Sequence, residues 1–459
     1  MSMLNIGKSG LLASMAALNA TSNNVANAMV AGYSRQQVML SSVGGGAYGS
    51  GAGAGVFVDG VRRISDQYEV AQLWQTTSAV GFSKVQSSYL RQAEQVFGAE
   101  GNNISKGLDQ LFAALNSSME QPNLIAYRQG VLNEAKAVAQ RVNAINDNID
   151  SQRNQINGQL GSSVKEINSQ LNIIASFNRD IQAASVTGTI PPSLQDSRDA
   201  AIDDLAAILD IRVVEDSQGM VNISLARGEP LLTGNTAAKL ASAPDPVNPK
   251  NDLVTIQFGS SQFNVDETAG GSLGALLTYR DVQLADSQEY IDELAVMLAT
   301  EFNSILASGT DLNGATPSQD LFTYQANNPG GSLSLTAGFT PDKLAFGKDG
   351  TQGDNTNLKA LVQLANKELN FTSLGSNTSL AESFSSKVGQ LGSASRQAIS
   401  FAKTSVDLQK DAQSQWASTS GVNPDEEGIN LIIYQQSYMA NAKVISTADQ
   451  LFQTMLSSF

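Results

Sequence analysis

The stretch LIIYQQSYMANAKVISTADQLFQTMLSSF (Leu431–Phe459) holds the pattern from which the fold is read. Apolar or small residues fall at Leu431, Tyr434, Tyr438, Ile445, Ala448, Phe452, Met455 and Phe459, the a and d positions of roughly four heptads, with Asn441 as the polar intruder. Its start is marked by GVNPDEE. Asn423 suits the N-cap, Pro424 the first helical position, and Glu426 the reciprocal partner of a capping box. Asp425 and Glu427 add charge where the helix dipole favours it. At the opposite end of the chain Leu4, Leu11, Leu18 and Val25 repeat at seven-residue intervals, three amides (Asn23, Asn24 and Asn27) crowd the end of the pattern, and Gly32 stops it. Neither helix can bury its stripe alone, so the two are expected to pair, with Ala13, Ala16, Ala17 and Ala20 permitting close approach. Such a thin unit is expected to be marginal by itself and to order fully when neighbouring copies add apolar surface. Periodicity alone is equally compatible with two helices of an ordinary bundle.

Composition excludes several classes. The chain has 459 residues, enough for two to four domains. Only 15% of them are charged, and acidic residues exceed basic ones to give a net charge of −15. With no basic cluster, nucleic-acid binding and adsorption to an anionic membrane are not expected. Cysteine and histidine are both absent. That removes thiolate and imidazole metal sites, Ser/His and Cys/His nucleophiles, and the usual near-neutral general base. A carboxylate-only active site is what remains open to an enzyme. The N-terminal stretch has one positive charge, Lys8, and no continuous apolar core, so it reads as an amphipathic helix retained in the mature chain, not a cleaved signal peptide. No run reaches the length of a membrane span.

Between the ends, Gly44–Gly55 reads as a flexible exposed loop. Helix signals run from about Ser65 to Phe97, Asn123 to Ser185, Leu276 to Leu306 and Leu380 to Trp416. The second carries a stripe from Val138 through Ile156 to Ile181, a rod of roughly 80–90 Å if unbroken. IRVVEDSQGMVNISLARG and DLVTIQFGSSQFNVDE each read as a hairpin, separated by the Pro-rich joint APDPVNPK. GSLSLTAGFTPDKLAFG suggests a further short strand pair. The expected fold is mainly α with an inserted small β domain, elongated, with its two terminal helices paired as a coiled coil. The divisions are residues 1–60 and 418–459 for the terminal assembly domain, 61–205 and 270–417 for a long-helix rod with a short β excursion at 320–348, and 206–269 for the β insert.

Candidate chemical sites are weak. GGGAYG (Gly44–Gly49) matches a dinucleotide fingerprint but lacks the helix N-terminus that would hold a pyrophosphate. GTDLNG, with Asp311, Asn313 and Gly314, lacks the closing bidentate glutamate of a calcium loop. Asp203–Asp204 and Asp425–Glu427 are adjacent on their helices, where side chains diverge. No catalytic, metal or cofactor site is expected.

The residues carry a resemblance. SNNVANAMVAGYSRQ, with Asn23, Asn24, Val25, Ala26, Asn27, Gly32 and Tyr33, resembles the N-terminal signature of the bacterial flagellar axial proteins. The C-terminal stretch is similar to the hook-associated protein 1 family through Gly421–Asn423, Asp425–Glu427, Tyr434–Gln436, Tyr438, Ala440–Ala442 and Val444–Asp449. Tyr33–Gln36 and GGSLGALLTYRD (Gly270–Asp281) fit the same family. The chain departs at Ala28–Ala31, where the family often has Asn, Thr and Pro, and offers one good β insert where many members carry two. The resemblance implies a type III–exported structural protein, outside the cell, polymerised as a hook–filament junction. Its implied partners are further copies of itself, hook protein, a second hook-associated junction protein, and an export chaperone on the C-terminal helix. Assembly contacts are then expected at Leu4, Leu11, Leu18, Asn23, Asn24, Val25, Asn27, Gly32, Tyr33, Asn423, Asp425, Glu426, Leu431, Tyr434, Tyr438, Asn441, Ile445, Phe452 and Met455, with the three amides bonding backbone groups where the first helix turns away. Competing readings are a hook or distal-rod protein, against which GVNPDEE speaks, and a type III–exported effector, with an enzyme a distant third.

Overall fold

The computed structural model describes residues 2–44, 53–186, 188–351 and 353–458. The glycine-rich stretch between 45 and 52, including most of the dinucleotide-like motif, and Phe459 lie outside the described residues. The chain opens with α1 (Ser2–Asn27), then an antiparallel hairpin of β1 (Gln36–Ser42) and β2 (Val56–Arg63). Four helices follow: α2 (Gln67–Gly98), α3 (Ile104–Ser118), α4 (Ile125–Val186) and α5 (Pro192–Ile208). Asp66 caps α2 through the Tyr68 N–H at 2.7 Å, and Asn103 caps α3 through the Lys106 N–H at 2.9 Å. At 62 residues, α4 is a rod of roughly 93 Å. The expected stripe from Val138 to Ile181 is buried along its whole length, facing α3, α5, α7 and the β strands in turn.

The middle of the chain forms two antiparallel sheets. One has the order β3 (Ile211–Glu215), β4 (Val221–Leu225), β5 (Pro230–Thr233), β6 (Thr236–Ala237), the other β7 (Lys239–Pro244), β8 (Asp252–Phe258), β9 (Ser261–Val265). The two expected hairpins are β3–β4 and β8–β9. The Pro-rich stretch is not a joint between them. It ends β7 and forms the β7–β8 hairpin loop, because proline is tolerated at a strand end and in the turn beyond it.

The chain returns through α6 (Gly271–Thr278), a π-helical segment at Tyr279–Leu284, and α7 (Ala285–Ala307). Small elements come next: β10 (Phe322–Thr323) paired with β11 (Ser334–Leu335), a helical turn α8 (Pro329–Ser332), α9 (Thr356–Gln363), and β12 (Leu369–Phe371) paired with β13 (Ser376–Thr378). The Gly331–Gly347 stretch thus supplies one strand of a pair, its partner coming from Phe322. A Ser379–Glu382 capping box then starts α10 (Leu380–Ser420), which runs back along α2, and Gly421 leads into α11 (Pro424–Ser457). Periodicity passes over the β1–β2 hairpin, α3 and α5, none of which carries a long unbroken pattern.

Buried apolar contact does not by itself fix where the sheets sit along α4. Three amides do. Asn157 accepts the Asp252 N–H and donates to the Lys250 carbonyl; Asn168 accepts the Leu240 N–H and donates to the Leu240 carbonyl. Asn178 accepts from the Val221 N–H at 3.1 Å and donates to the carbonyls of Val221 (2.8 Å) and Gly234 (2.7 Å). Each amide presents one donor and one acceptor, as a neighbouring strand would, and closes a backbone edge that would otherwise be open. Their spacing of eleven and ten residues, about three helical turns, keeps them on one face. Asn178→Ala is expected to cost about 3 kcal/mol, since buried backbone groups lose their partners. Asn178→Asp should cost at least as much, because two carbonyls would then face a carboxylate. Urea unfolding of both variants measures this.

Candidate assembly interface

The two ends of the chain pack antiparallel, α1 on α11. The register is given by three contacts: Asn24 with Glu427, Gly10 with Asn441, and Gly7 with Ile445. A Cβ at Gly10 would lie 2.4 Å from Asn441 Oδ1, and one at Gly7 would lie 2.9 Å from Ile445 Cγ1. Between these glycines and the elbow, Ala13, Ser14, Ala17, Ala20 and Thr21 are buried. The seam is therefore built from small residues that bring the helices close.

The leucine stripe is corrected by this register. Leu4 and Val25 are 46% and 41% exposed, and Leu11 and Leu18 are half-buried at the flank. Large side chains at those positions would hold the axes apart, and the glycine–alanine face wins because its close contacts extend over the whole helix. On α11, Leu431, Tyr434, Asn441 and Ile445 are half-buried and Tyr438 is 36% exposed. Since α1 begins near Asp449, α11 overhangs it. Leu451, Phe452, Met455 and Leu456 are all more than half exposed, so the last expected heptad meets nothing in the lone chain.

Where the pair meets the rest of the chain, a buried polar node forms. Val30, Tyr33 and Gly32, whose φ of +77° suits glycine, turn the chain out of α1. Asn24 is 1% exposed and uses its whole hydrogen-bonding capacity. It donates to the Gln36 carbonyl (2.9 Å) and Glu427 Oε2 (3.1 Å), and accepts from the Gln36 N–H (2.9 Å) and the Tyr33 hydroxyl (3.0 Å). Glu427, also 1% exposed, takes the Arg35 Nε at 2.7 Å on its other oxygen. Arg35 in turn reaches Glu426 at 3.1 Å, and its N–H bonds the Ser420 carbonyl at the end of α10. Ser34 donates to Asp196 of α5, and Asp196 and Asp199 hold Arg63 of β2. The node thus ties α1, β2, α5, α10 and α11 together. Burial, with the charges of Asp196 and Glu427 beside it, pushes the Tyr33 hydroxyl up to about 12. Burial also lifts the Asp196 carboxyl, against the Ser34 N–H and Arg63.

Two further expectations change here. Of the three amides, only Asn24 bonds backbone outside its helix. Asn23 is exposed, and Asn27 donates back to the Asn23 carbonyl of its own turn, because helical phase points only Asn24 at the elbow. Asn423 does cap α11, through the Asp425 N–H at 3.0 Å with Pro424 next, but Glu426 turns to Arg35 and forms no capping box. Asp425 stays exposed. Sequence reasoning missed Arg35 and Glu427 as partners; their separation along the chain leaves no local signal.

The other candidates resolve simply. Asp311 accepts the N–H groups of Asn313 and Ala315 as a turn, and Asp203 accepts the Thr77 hydroxyl. Among the described residues no cluster of three or more carboxylates is placed to hold a metal ion, and no helix is long and apolar enough to cross a membrane.

The chain is similar to known proteins along nearly its whole length. Residues 90–322 match the family model of the flagellar hook-associated protein FlgK helical domain, and residues 413–458 match that of the flagellar basal body rod FlgEFG protein C-terminal region. Flagellar hook-associated protein 1 of Salmonella typhimurium is 27% identical over an alignment covering 99% of both chains. That of Bacillus subtilis is 25% identical, covering 99% of this chain and 97% of its own. The structure of the flagellar hook junction protein FlgK from Burkholderia pseudomallei superposes with a TM-score of 0.66 at 16% identity, covering 75% of this chain and 99% of the other. The Salmonella alignment spans 564 positions against 459 residues here, so that relative carries more than 100 residues without a counterpart.

Glu427→Ala should strip Arg35 and Asn24 of a buried acceptor. The expected loss is about 3 kcal/mol, the low end for a broken buried pair because Arg35 stays 25% exposed. Hydrogen exchange should rise across α1 and α11 and stay unchanged in α4, whereas Asn27→Ala should alter stability by no more than about 0.5 kcal/mol. The raised Tyr33 hydroxyl contributes stability that is fully present below pH 10 and is lost as pH rises through about 12. The urea midpoint should therefore fall more steeply between those values in the wild type than in Tyr33→Phe.

Proposed function

This chain belongs to the flagellar hook-associated protein FlgK family, structural proteins of the hook–filament junction, and we propose that it polymerises at the distal end of the hook through its paired terminal helices. One observation supports this reading above the others. The α1–α11 pair keeps its own seam small and turns its large apolar side chains outward: Leu12, Met15, Ile429, Ile432, Ile433, Met439, Leu451, Phe452, Met455 and Leu456 are all at least half exposed. A helix apolar on more than one face is one built to be covered. Further copies of the chain cover it, so residues 1–60 and 418–459 form the inner assembly domain, 61–205 and 270–417 the surrounding rod, and 206–269 an outward β domain. The assembly contacts are then the flank and overhang residues Leu4, Leu11, Leu18, Val25, Tyr438, Phe452 and Met455, while Asn24, Tyr33 and Asn441 set the pair itself.

Hook protein adjoins on one side and a second hook-associated junction protein on the other. Before export, a chaperone shields the uncovered face of α11. The protein works outside the cell and keeps α1, whose removal by a signal peptidase would dissolve the pair. Its work is mechanical, with no catalytic step.

A strain lacking the gene should show hooks that are present but bare, with flagellin lost to the medium. Missing hooks would assign the protein to hook or rod, and intact filaments would overturn the reading. Phe452→Ser combined with Met455→Ser should give the same bare hooks, with the secreted protein's thermal unfolding unchanged.

A further inference from the structure

A chain of net charge −15 repels its own copies, so a polymer of it needs faces where opposite signs meet. α10 provides one. Arg396, Lys403 and Lys410 are seven residues apart, which places them on one line of the helix with about 10.5 Å between neighbours. All three are exposed; Lys403 and Lys410 stand on the side away from Ser405 and Ala412, the small buried residues of the opposite face, and the Arg396 guanidinium lies over Gly392 beside Glu94 of α2. Lys410 has only a loose partner, Asp407 at 4.0 Å. Ile399 lies on the line between Arg396 and Lys403 and is 45% exposed.

The complementary face lies on α7. A groove of about 760 Å³ runs beside it, lined by Val296, Met297, Glu289, Asp292, Glu293 and Arg153. Three carboxylates there oppose one guanidinium, which is already held by Asp150. Glu293 and Asp286 are also seven apart, with Glu289 between them on the same face. Glu293 accepts the Thr372 and Ser373 N–H groups, and Asp292 the Gly330 N–H, which fixes both carboxylates in place. Glu289 is exposed and uncommitted among the described residues. Within one chain the same two helices already use this chemistry: Lys387 of α10 is buried against Asp286 of α7, Nζ to Oδ2 at 2.6 Å.

We propose that the α7 groove of one copy receives the cationic ridge of α10 from a second copy. Lys403 meets Glu289, the uncommitted carboxylate of the groove, and Ile399 meets Val296 and Met297. Because the two faces differ, the contact is heterologous and repeats from copy to copy into a ring or tube. This rests on the polymer proposed above and adds a contact independent of the terminal helices.

The chain lacks cysteine, which makes crosslinking specific. Cells expressing the Glu289→Cys, Lys403→Cys double variant, treated with a mild oxidant, should yield a disulfide ladder of dimers, trimers and higher species. Co-expression of the two single variants should stop at dimers, and Glu166→Cys with Lys403→Cys should give none. Attached filaments without a ladder, or crosslinks to a different protein only, overturn the groove contact while leaving the terminal-helix reading intact. Charge reversal gives the second arm. Lys403→Glu should reduce attached filaments about tenfold, as a like-charge contact would, and adding Glu289→Lys should restore them. Unchanged filaments in the single variant, or no restoration in the double, overturn it.

Discussion

Glu427 brings a negative charge into the place where the two ends of the chain meet, and a buried charge is tolerated only when its partners are fixed. Its partners come from the other end of the sequence: Asn24 on α1 and Arg35 beyond the turn. That requirement sets the antiparallel register of α1 and α11. With Asn24 opposite Glu427, Gly10 falls opposite Asn441 and Gly7 opposite Ile445, the positions where only glycine leaves room. The same register leaves Phe452 and Met455 beyond the start of α1. A one-turn slip would bury more of the overhang but would strand Glu427 and drive Asn441 into a side chain. Specificity is therefore placed in polar contacts at one end, and the apolar surface is left over at the other.

This division of labour explains why the seam is so thin. A pair that buried its leucines inward would satisfy itself and have little to offer another copy. Packing on glycine and alanine gives close contact through small area, and keeps Leu4, Leu12, Met15, Ile429, Ile432 and Ile433 on the outside. The rod follows the opposite rule: α4 buries its whole stripe, and so holds its shape without help from a neighbour.

Much of this was legible in the sequence, and what was not shares a cause. The stripe of α4, the β3–β4 and β8–β9 hairpins, the Asn423 cap and the pairing of the ends follow from periodicity and local turn chemistry. Which of Asn23, Asn24 and Asn27 is buried depends on the rotation of α1 about its axis, and that is set by Glu427, some four hundred residues away. A seven-residue leucine repeat looked like a seam because spacing reports a face without saying what covers it. Asn157, Asn168 and Asn178 stand at helical spacing too, but polar residues at such spacing read as solvated surface until a sheet edge is placed against them.

The amides at the elbow and along α4 solve one problem in two places. Apolar contact between long elements is nearly indifferent to sliding, since each step exchanges one aliphatic neighbour for another. An amide that must meet one N–H and one C=O is not indifferent, because a shift of one residue leaves several buried groups unpaired at a cost of about 1–3 kcal/mol each. A chain with 15% charged residues has few ion pairs with which to fix its elements lengthwise. Asn157, Asn168 and Asn178 do so with neutral groups alone, and Asn24 does so with the Gln36 backbone and the Glu427 carboxylate. The bonds along α4 involve no titrating group, as suits a protein whose proposed place is outside the cell, where salt and pH both vary.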